Sequence, residues 1–220
     1  MLHILTNRYR IVDPCFERSP KPAVELDLGC GKGGFLLQLA ERYPGRVVVG
    51  ADLMLGRLRR LADKVARRGL ANVELLRASS LELADHQMPD SCIDRLHLLC
   101  PDPWPKSRHR GKRLLNAEFM ARVVRILKPN GVFHFSTDAE DYLNAAADLL
   151  AALPRFRPEP AAVGDIADLQ TDFERQWLAA ARRVPHLAFV LDKTRSEVAV
   201  CDGGSSRKSV SLRGLRRLTF

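Results

Sequence analysis

The sequence predicts a doubly wound α/β fold, with a mostly parallel seven-stranded sheet and helices on both faces. Three observations indicate it: short apolar runs alternate with amphipathic segments, a glycine-rich loop follows the first run, and Gly, Pro and Asn separate the elements. When strands alternate with helices the sheet is parallel, because a right-handed crossover helix joins each strand to its neighbour. A chain of 220 residues is long enough for one such domain.

Five short runs that are β-branched or rich in leucine are typical of strands buried on both faces of a sheet. They cover residues 24–28, 47–51, 73–76, 93–99 and 132–136. Apolar residues at helical spacing predict helices at residues 34–43, 55–68, 116–127 and 139–153. A further helix is predicted at residues 171–183 and a late strand at residues 186–191. Turns are predicted at Gly69, Pro89, residues 129–131 and Pro154.

The charge balance favours a polyanionic partner. Lys and Arg number 35 against 26 Asp and Glu, which gives a formal net charge of +9. Basic residues cluster at positions 57–68, 106–113 and 207–217, and this clustering favours nucleic acid. The outward face of the predicted helix at 55–68 is more typical of a solvated surface than of a nucleic-acid site. Residues 1–193 are expected to form the domain, and residues 194–220 a basic extension that either contacts RNA or stays a solvated tail.

The cysteines and the apolar runs indicate a cytoplasmic protein without metal. The cysteines are odd in number, form no Cys-x-x-Cys pair and suggest neither a zinc site nor a disulfide framework; they are Cys15, Cys30, Cys92, Cys100 and Cys201. No apolar run approaches the roughly 20 residues that span a bilayer. The start of the chain is too short and polar for a signal peptide. We therefore expect a soluble, cytoplasmic protein with no membrane contact and no obligate protein partner.

A glycine-rich loop follows the first predicted strand, with the acid Asp27 ahead of it. Glycines there let the backbone turn tightly and approach a ligand, with helix-terminal amides facing it. Gly29, Gly31 and Gly34 fit the dinucleotide pattern G-x-G-x-x-G. Asp27 with Gly29, Gly31 and Gly33 resembles instead the first motif of S-adenosylmethionine-dependent methyltransferases, in which Asp27 would face the methionine ammonium.

Two further positions follow predicted strands. Asp52 ends the second strand, where a carboxylate can accept hydrogen bonds from both ribose hydroxyls of a cofactor. A helix N-cap is the alternative role for Asp52. Ser79 follows the third strand, where methyltransferases of this kind often place an acid near the adenine amino group.

Residues 101–113 combine three prolines, Asp102, Trp104 and a dense basic run. Proline fixes φ and lacks an amide donor, so this segment is predicted to be a stiff loop. It follows the strand at residues 93–99, and ligands bind at the carboxyl ends of strands in open α/β sheets. Trp104 is either a stacking platform for a base or an anchor for the loop.

Together these motifs, with Ser136 to Asp138 and Thr171 to Glu174, resemble the bacterial tRNA (guanine-N7-)-methyltransferase family over roughly residues 20 to 192. The resemblance implies a Rossmann-like methyltransferase sheet and methyl transfer from S-adenosylmethionine, with S-adenosylhomocysteine as product, to a variable-loop guanine of tRNA at position 46. It implies a catalytic role for Asp102, which would also lie at the cofactor with Asp27, Gly29, Gly31, Gly33, Asp52 and Ser79. It implies that Lys106, Asp138, Thr171, Asp172, Phe173 and Glu174 hold the guanosine, and that Arg108, His109, Arg110, Lys112 and Arg113 contact RNA.

The residue chemistry is compatible with this reaction. Guanine N7 carries a lone pair and needs no prior deprotonation, so positioning and electrostatics can supply most of the catalysis. A carboxylate such as Asp102 is favoured as positive charge develops on the ring. Asp138 either accepts hydrogen bonds from the guanine or caps the following helix. Phe173 is expected to pack rather than stack.

Two departures from the family pattern leave other functions open. Gly111 interrupts the basic run where the family usually has another basic residue, and Asp172 replaces a residue that is usually lysine or otherwise non-acidic. A catalytically impaired tRNA-binding protein on the same fold is the main alternative. A nicotinamide-dependent oxidoreductase is the third hypothesis, allowed by Gly29, Gly31 and Gly34.

Overall fold

The computed structural model describes residues 1–4, 21–182 and 184–195. In these ranges the chain forms an eight-stranded sheet in the order β1-β4-β3-β2-β5-β6-β8-β7. The strands are β1 (Leu2–Ile4), β2 (Val24–Leu28), β3 (Val47–Asp52), β4 (Val73–Arg77), β5 (Ile93–Leu99), β6 (Leu127–Ser136), β7 (Phe156–Pro158) and β8 (His186–Leu191). Strand β8 is antiparallel to both of its neighbours, and the other pairs are parallel.

Helices cover both faces of the sheet, as predicted. They are α1 (Gly34–Arg42), α2 (Leu55–Arg67), α3 (Ser80–Glu82), α4 (Ala117–Ile126), α5 (Glu140–Ala152) and α6 (Asp172–Ala179). A π-helical turn (Leu83–Gln87) extends α3, and 3-10 helices cover Ser107–Lys112 and Pro160–Ile166. Helices α1 and α2 share one apolar core with the Pro160–Ile166 segment, and α4 and α5 pack in the other.

The strand order places a topological switch point between β2 and β5. The chain begins the central sheet at β2, runs outward through β3 and β4, and then returns to the other side of β2 with β5 and β6. Crossover helices therefore diverge on either side of this point and leave a crevice at the carboxyl ends of β2 and β5. The sheet order alone locates a ligand cleft next to Gly29 and Cys100.

Several boundaries differ from the sequence prediction. Strands β1 and β7 were not predicted, because three-residue edge strands carry too short a pattern. The turn predicted at residues 129–131 lies inside β6 as a bulge: Leu127 pairs with Ile93, and Val132 already pairs with Arg95. The helix predicted at residues 171–183 ends at Ala179. The predicted extension at residues 194–220 lies, beyond Arg195, outside the described residues, as do Cys15 and Cys201.

Within the described ranges, no helix combines the length and the apolar character that crossing a membrane requires.

Candidate active site

A cleft of about 630 Å³ lies at the switch point. Three parts of the chain line it: the glycine loop after β2, the end of β5, and the first turn of α6. The predicted site residues among its lining are Asp27, Gly29, Gly31, Thr171, Asp172 and Phe173. Arg57 of α2 and Gln176 of α6 also line the cleft.

The glycine loop makes the tight turn that its sequence predicts. Gly29, Gly31 and Gly33 have φ angles of 77°, 57° and 81°, a left-handed region that favours glycine. A Cβ atom on Gly33 would lie 2.2 Å from Leu61 Cδ1 in α2. Gly33 therefore lets α1 and α2 pack closely beside the cleft.

Asp27 forms a buried acidic floor in this cleft. Only 4% of its side chain is exposed. Burial, followed by the charges of Asp52 and Glu174, raises the pKa of Asp27 to about 7. A raised pKa in a cleft is a physical signature of a ligand-binding acid, because a cation bound there would favour the ionised form.

Asp52 braces the glycine loop from outside the cleft lining. Its Oδ2 accepts a hydrogen bond from the Gly31 amide at 3.1 Å, and its Oδ1 accepts one from the Met54 amide at 2.7 Å. The N-cap of α2 is Met54, so Asp52 is not the predicted N-cap. Ser79 begins α3 without a side-chain capping bond and does not line the cleft.

Helix α6 is fixed at its first turn by Thr171 and Glu174. The Thr171 hydroxyl accepts from the Glu174 amide at 3.1 Å, and a Glu174 carboxylate oxygen accepts from the Thr171 amide at 2.6 Å. This capping box uses both side chains, and Glu174 is only 3% exposed. The geometry therefore does not fit the prediction that Thr171 and Glu174 contact the guanosine.

Asp172 joins α6 to the start of α1. Its Oδ2 accepts a hydrogen bond from the Gly34 amide at 3.0 Å, and its Oδ1 accepts one from Arg175 at 2.6 Å. Phe173 beside it is 57% exposed and stacks on Trp177, with ring centroids 5.7 Å apart. Phe173 was expected to pack rather than to stack on a base; its ring packs on Trp177 and borders the cleft.

A chain of buried polar side chains connects α6 to the far end of β2. His97 Nε2 lies 2.8 Å from Glu25 Oε2, and His97 Nδ1 lies 3.0 Å from His134 Nδ1. His134 Nε2 lies 2.8 Å from His186 Nδ1, and His186 Nε2 lies 3.1 Å from Glu174 Oε1. The chain thus crosses β2, β5, β6 and β8 beneath α1.

Both carboxylates at the ends of this chain are ionised. Burial would raise the pKa of Glu25, but hydrogen bonds and charges from His97 and Arg95 outweigh it and hold the pKa far below its ordinary value. Burial would also raise the pKa of Glu174, and hydrogen bonds from His186 and Thr171 lower it instead. Arg95 is itself buried and bonds both Glu25 and Asp165.

The number of hydrogen bonds sets the number of protons in the chain. Four contacts join two ionised carboxylates through three imidazoles, and each contact needs one hydrogen. Three neutral imidazoles carry only three N–H groups, so one ring must be an imidazolium. Burial lowers the pKa of His97, and burial with neighbouring positive charge lowers that of His134 well below 6.5.

Sequence reasoning missed this chain of side chains. The sequence does show a titratable residue inside each of several apolar strands. Whether these residues contact one another depends on the strand register. Asp27 pairs with His97, His97 with His134, and Ser136 with His186. No spacing along the sequence shows those pairings.

The loop at residues 101–113 is held by internal contacts. Trp104 adopts a φ of 43°, packs edge-on against His109 at 5.9 Å and lies 4.8 Å from Lys112 Nζ. Trp104 is thus a loop anchor in this structure. Asp102 is exposed and lies two residues beyond Cys100, a residue that lines the cleft.

Arg113 does not fit its predicted role as an RNA contact. Its side chain is 7% exposed, and its guanidinium donates to Pro103 O at 2.8 Å and to Asp141 Oδ2 at 2.6 Å. It therefore fastens the loop to α5. The other predicted RNA contacts keep exposed or partly exposed positions; they are Arg108, His109, Arg110 and Lys112, with Lys106 at the start of the same turn.

Asp138 follows β6 and forms an ion pair with Arg182 at 3.1 Å. The N-cap of α5 is Ala139, so the capping role considered for Asp138 is wrong.

Solved structures share this architecture. A 16S rRNA methyltransferase, KamB, matches 80% of this chain and 90% of its own at a TM-score of 0.58 and 23% identity. The aminoglycoside resistance methyltransferase NpmB1 matches 77% and 87% at a TM-score of 0.56 and 21% identity. The likeness, with the switch-point cleft, defines the class of fold: the Rossmann-like fold of class I S-adenosylmethionine-dependent methyltransferases.

Comparison of the amino-acid sequence with known proteins identifies a family within this fold class. A family model described as "Putative methyltransferase" matches residues 21–187, and the chain belongs to this family. A Caulobacter vibrioides protein named tRNA (guanine-N(7)-)-methyltransferase is 34% identical over 61% of this chain and 59% of its own length. A Pseudomonas putida protein of the same name is 34% identical over 66% and 60%. The matched segment thus spans about three fifths of the length of these relatives.

We predict that Asp27 makes the folded state less stable as the pH rises from about 4 to about 7. Over that interval the folded protein keeps a proton that the unfolded chain has released, because the pKa is raised from 3.8 to about 7. By proton linkage, the free energy of unfolding should fall by about 4 kcal/mol over this pH interval. Urea unfolding of the wild type and Asp27→Asn should show the variant gaining relative stability across this range. Asp63→Asn, at an exposed α2 position, is the control. A pH-independent difference for Asp27→Asn would contradict the assignment.

We predict that the three histidines of the buried chain together carry four ring N–H groups at pH 7, because four contacts join them to two ionised carboxylates. Nitrogen-15 NMR of the three rings counts these groups. In Glu174→Gln one carboxylate acceptor is replaced by a neutral amide, so the count should fall to three. Glu118→Gln, at an exposed position of α4, should leave the three rings unchanged. Three neutral rings in the wild type would show the proton count to be wrong.

Proposed function

We propose that this chain is an S-adenosylmethionine-dependent methyltransferase that acts on guanine N7 in tRNA. The observation that carries the proposal is the acid-floored cleft at the switch point, with the Pro-Asp-Pro-Trp loop following the strand that lines it. The names of the sequence relatives support both the reaction and the nucleic acid. The guanine at position 46 of the variable loop is the proposed target.

The charge of the cleft supports S-adenosylmethionine over a dinucleotide. A dinucleotide places its pyrophosphate at the N-terminus of the helix after the glycine loop. Here the Asp172 carboxylate already accepts a hydrogen bond from Gly34, the first residue of that helix, and Asp27 forms the floor. Two carboxylates would repel a pyrophosphate and attract the ammonium and sulfonium groups of S-adenosylmethionine. This arrangement disfavours the oxidoreductase hypothesis.

The proposed chemistry needs no general base. Bound S-adenosylmethionine supplies a methyl group on a sulfonium, and the guanine N7 lone pair can form the new bond while the sulfur keeps the electrons of the old one. Asp102 is exposed and makes no hydrogen bond or ion pair with another described residue, so its carboxylate is available to stabilise the positive charge that develops on the guanine.

The structure modifies the proposed roles around the target base. Phe173 presents an exposed ring at the cleft and is suited to stack on guanine. Thr171 and Glu174 contribute by holding the first turn of α6, and Asp172 by holding that turn against α1. Lys106 and Arg108 are exposed and suited to phosphate contacts, which fix position more than they select sequence. A cytoplasmic location, the absence of a metal and the absence of an obligate protein partner stay predictions.

We predict that incubation with labelled S-adenosylmethionine and unmodified tRNA yields N7-methylguanosine in nucleoside analysis. Asp102→Ala should lower the rate of transfer at least 100-fold while its melting temperature stays unchanged, because the residue is exposed. Asp63→Ala is the matched control and should keep full activity. Tight tRNA binding without transfer would favour the tRNA-binding alternative, and full activity in Asp102→Ala would refute the role of that residue.

We predict that affinity for S-adenosylmethionine rises with pH up to about 7 and then levels off. Below that pH a proton on Asp27 competes with the cationic ligand, since its pKa is about 7. The affinity should fall by up to about tenfold per pH unit below this value. Calorimetric titration from pH 5.5 to 8 measures the effect. Asp27→Asn should bind weakly at every pH, whereas Asp63→Asn should follow the wild type. Equal wild-type affinity at both ends of the range would exclude a role for Asp27 in binding the cation.

A further inference from the structure

Helix α2 carries a line of cations along one side. Arg57, Arg60, Lys64 and Arg67 are spaced three, four and three residues apart, which places them on one side of a helix. They are called the α2 basic stripe below. Another side of the same helix buries Leu58, Leu61 and Val65 in the core. From Arg57 to Arg67 the stripe spans eleven residues, or about 15 Å along the helix axis.

The α2 basic stripe lacks the carboxylates that neutralise other surface arginines. Within the described part of the chain, Arg57, Arg60 and Arg67 make no ion pair and no side-chain hydrogen bond. Four arginines elsewhere on the surface have acidic partners: Arg42 pairs with Asp168, Arg122 with Asp85, Arg125 with Asp90 and Arg157 with Glu159. Like charges three or four residues apart destabilise a helix by a few tenths of a kcal/mol per pair. Folding alone therefore does not account for the stripe.

The stripe leads from the cleft to a second cavity. Arg57 lines the cleft, whereas Lys64 and Arg67 line a groove between α1, α2 and α6. Arg68 and Arg175 also line this groove, and they pair with Glu41 and Asp172. The groove and the cleft share Gly34 and Asp172. Lys64 Nζ donates to Lys32 O at 3.0 Å, which holds its charge beside the glycine loop. The positive surface is therefore continuous with the candidate active site.

We propose that the α2 basic stripe and this groove bind the phosphate backbone of the tRNA next to the target nucleotide. The proposal rests on the proposed function and adds a second contact surface, separate from the loop at residues 101–113. A polyanion with regularly spaced charges matches a row of unpaired cations, and binding it releases counterions. The exposed residues of α2 include no large apolar side chain after Leu55, whereas an interfacial membrane helix needs such residues.

The test compares two double variants that remove equal charge. Arg60→Gln with Arg67→Gln removes two of the four charges of the stripe and spares Lys64 and Arg57, the residue that lines the cleft. Arg122→Gln with Arg157→Gln removes two cations from α4 and β7, outside the groove. Binding of unmodified tRNA is measured by fluorescence anisotropy over a range of salt concentrations. The methyl-transfer rate at saturating tRNA and the affinity for S-adenosylmethionine are measured in parallel.

The stripe variant should bind tRNA at least tenfold more weakly at low salt, and its salt slope should be shallower by about 1 to 2. Its affinity for S-adenosylmethionine and its transfer rate at saturating tRNA should match the wild type. Equal tRNA affinity and salt slope in the two double variants would overturn the proposal. The proposal would also be overturned if the stripe residues were needed for binding polyglutamate but not for binding tRNA.

The binding measurement separates this proposal from the proposed function. If the wild type binds tRNA through the stripe but transfers no methyl group, the proposed tRNA-binding surface is supported and the proposed enzyme activity is wrong. If the wild type methylates tRNA and the stripe variant behaves like its control, the proposed tRNA-binding surface is wrong and the proposed enzyme activity is supported.

Discussion

The buried chain from Glu25 through three histidines to Glu174 is the constraint on which the geometry of the cleft depends. Glu174 holds the first turn of α6, and that turn brings Asp172 and Phe173 to the glycine loop. Removing one partner of a buried ion pair typically costs about 3–5 kcal/mol, because the remaining charge is left uncompensated. The position of the cleft wall therefore depends on polar contacts across four strands.

This arrangement also concentrates negative charge where the proposed ligand is cationic. Burial raises the pKa of Asp27, and the nearby charges of Asp52 and Glu174 raise it further. His186 Nε2 lies 3.1 Å from Glu174 Oε1. Asp27 is thus an acid on the cleft floor that a bound cation would ionise. The groups around Asp27 stabilise the fold in the absence of that cation.

Two groups of arginines in the described part of the chain differ in their partners. Arg95 and Arg113 are buried, bond carboxylates and carbonyl oxygens, and hold elements together. The arginines of the α2 basic stripe are exposed and without acidic partners in the described ranges. Net charge does not distinguish these groups, since each arginine contributes equally to the +9 of the sequence. Their surroundings assign one group to stability and leave the other free to bind an anion.

The sequence by itself determined the doubly wound sheet, most helix and strand positions, and the glycine loop with Asp27, because periodicity and glycine conformation are local properties. Only the tertiary structure decided that Arg113 anchors a loop, that Glu174 contacts His186, and that His97 is hydrogen-bonded to Glu25. Those roles depend on strand register and on contacts between residues separated in sequence; His97 and Glu25 are 72 positions apart. The chemistry of a side chain can be read from the sequence, but its role also depends on its neighbours. The tertiary fold determines those neighbours.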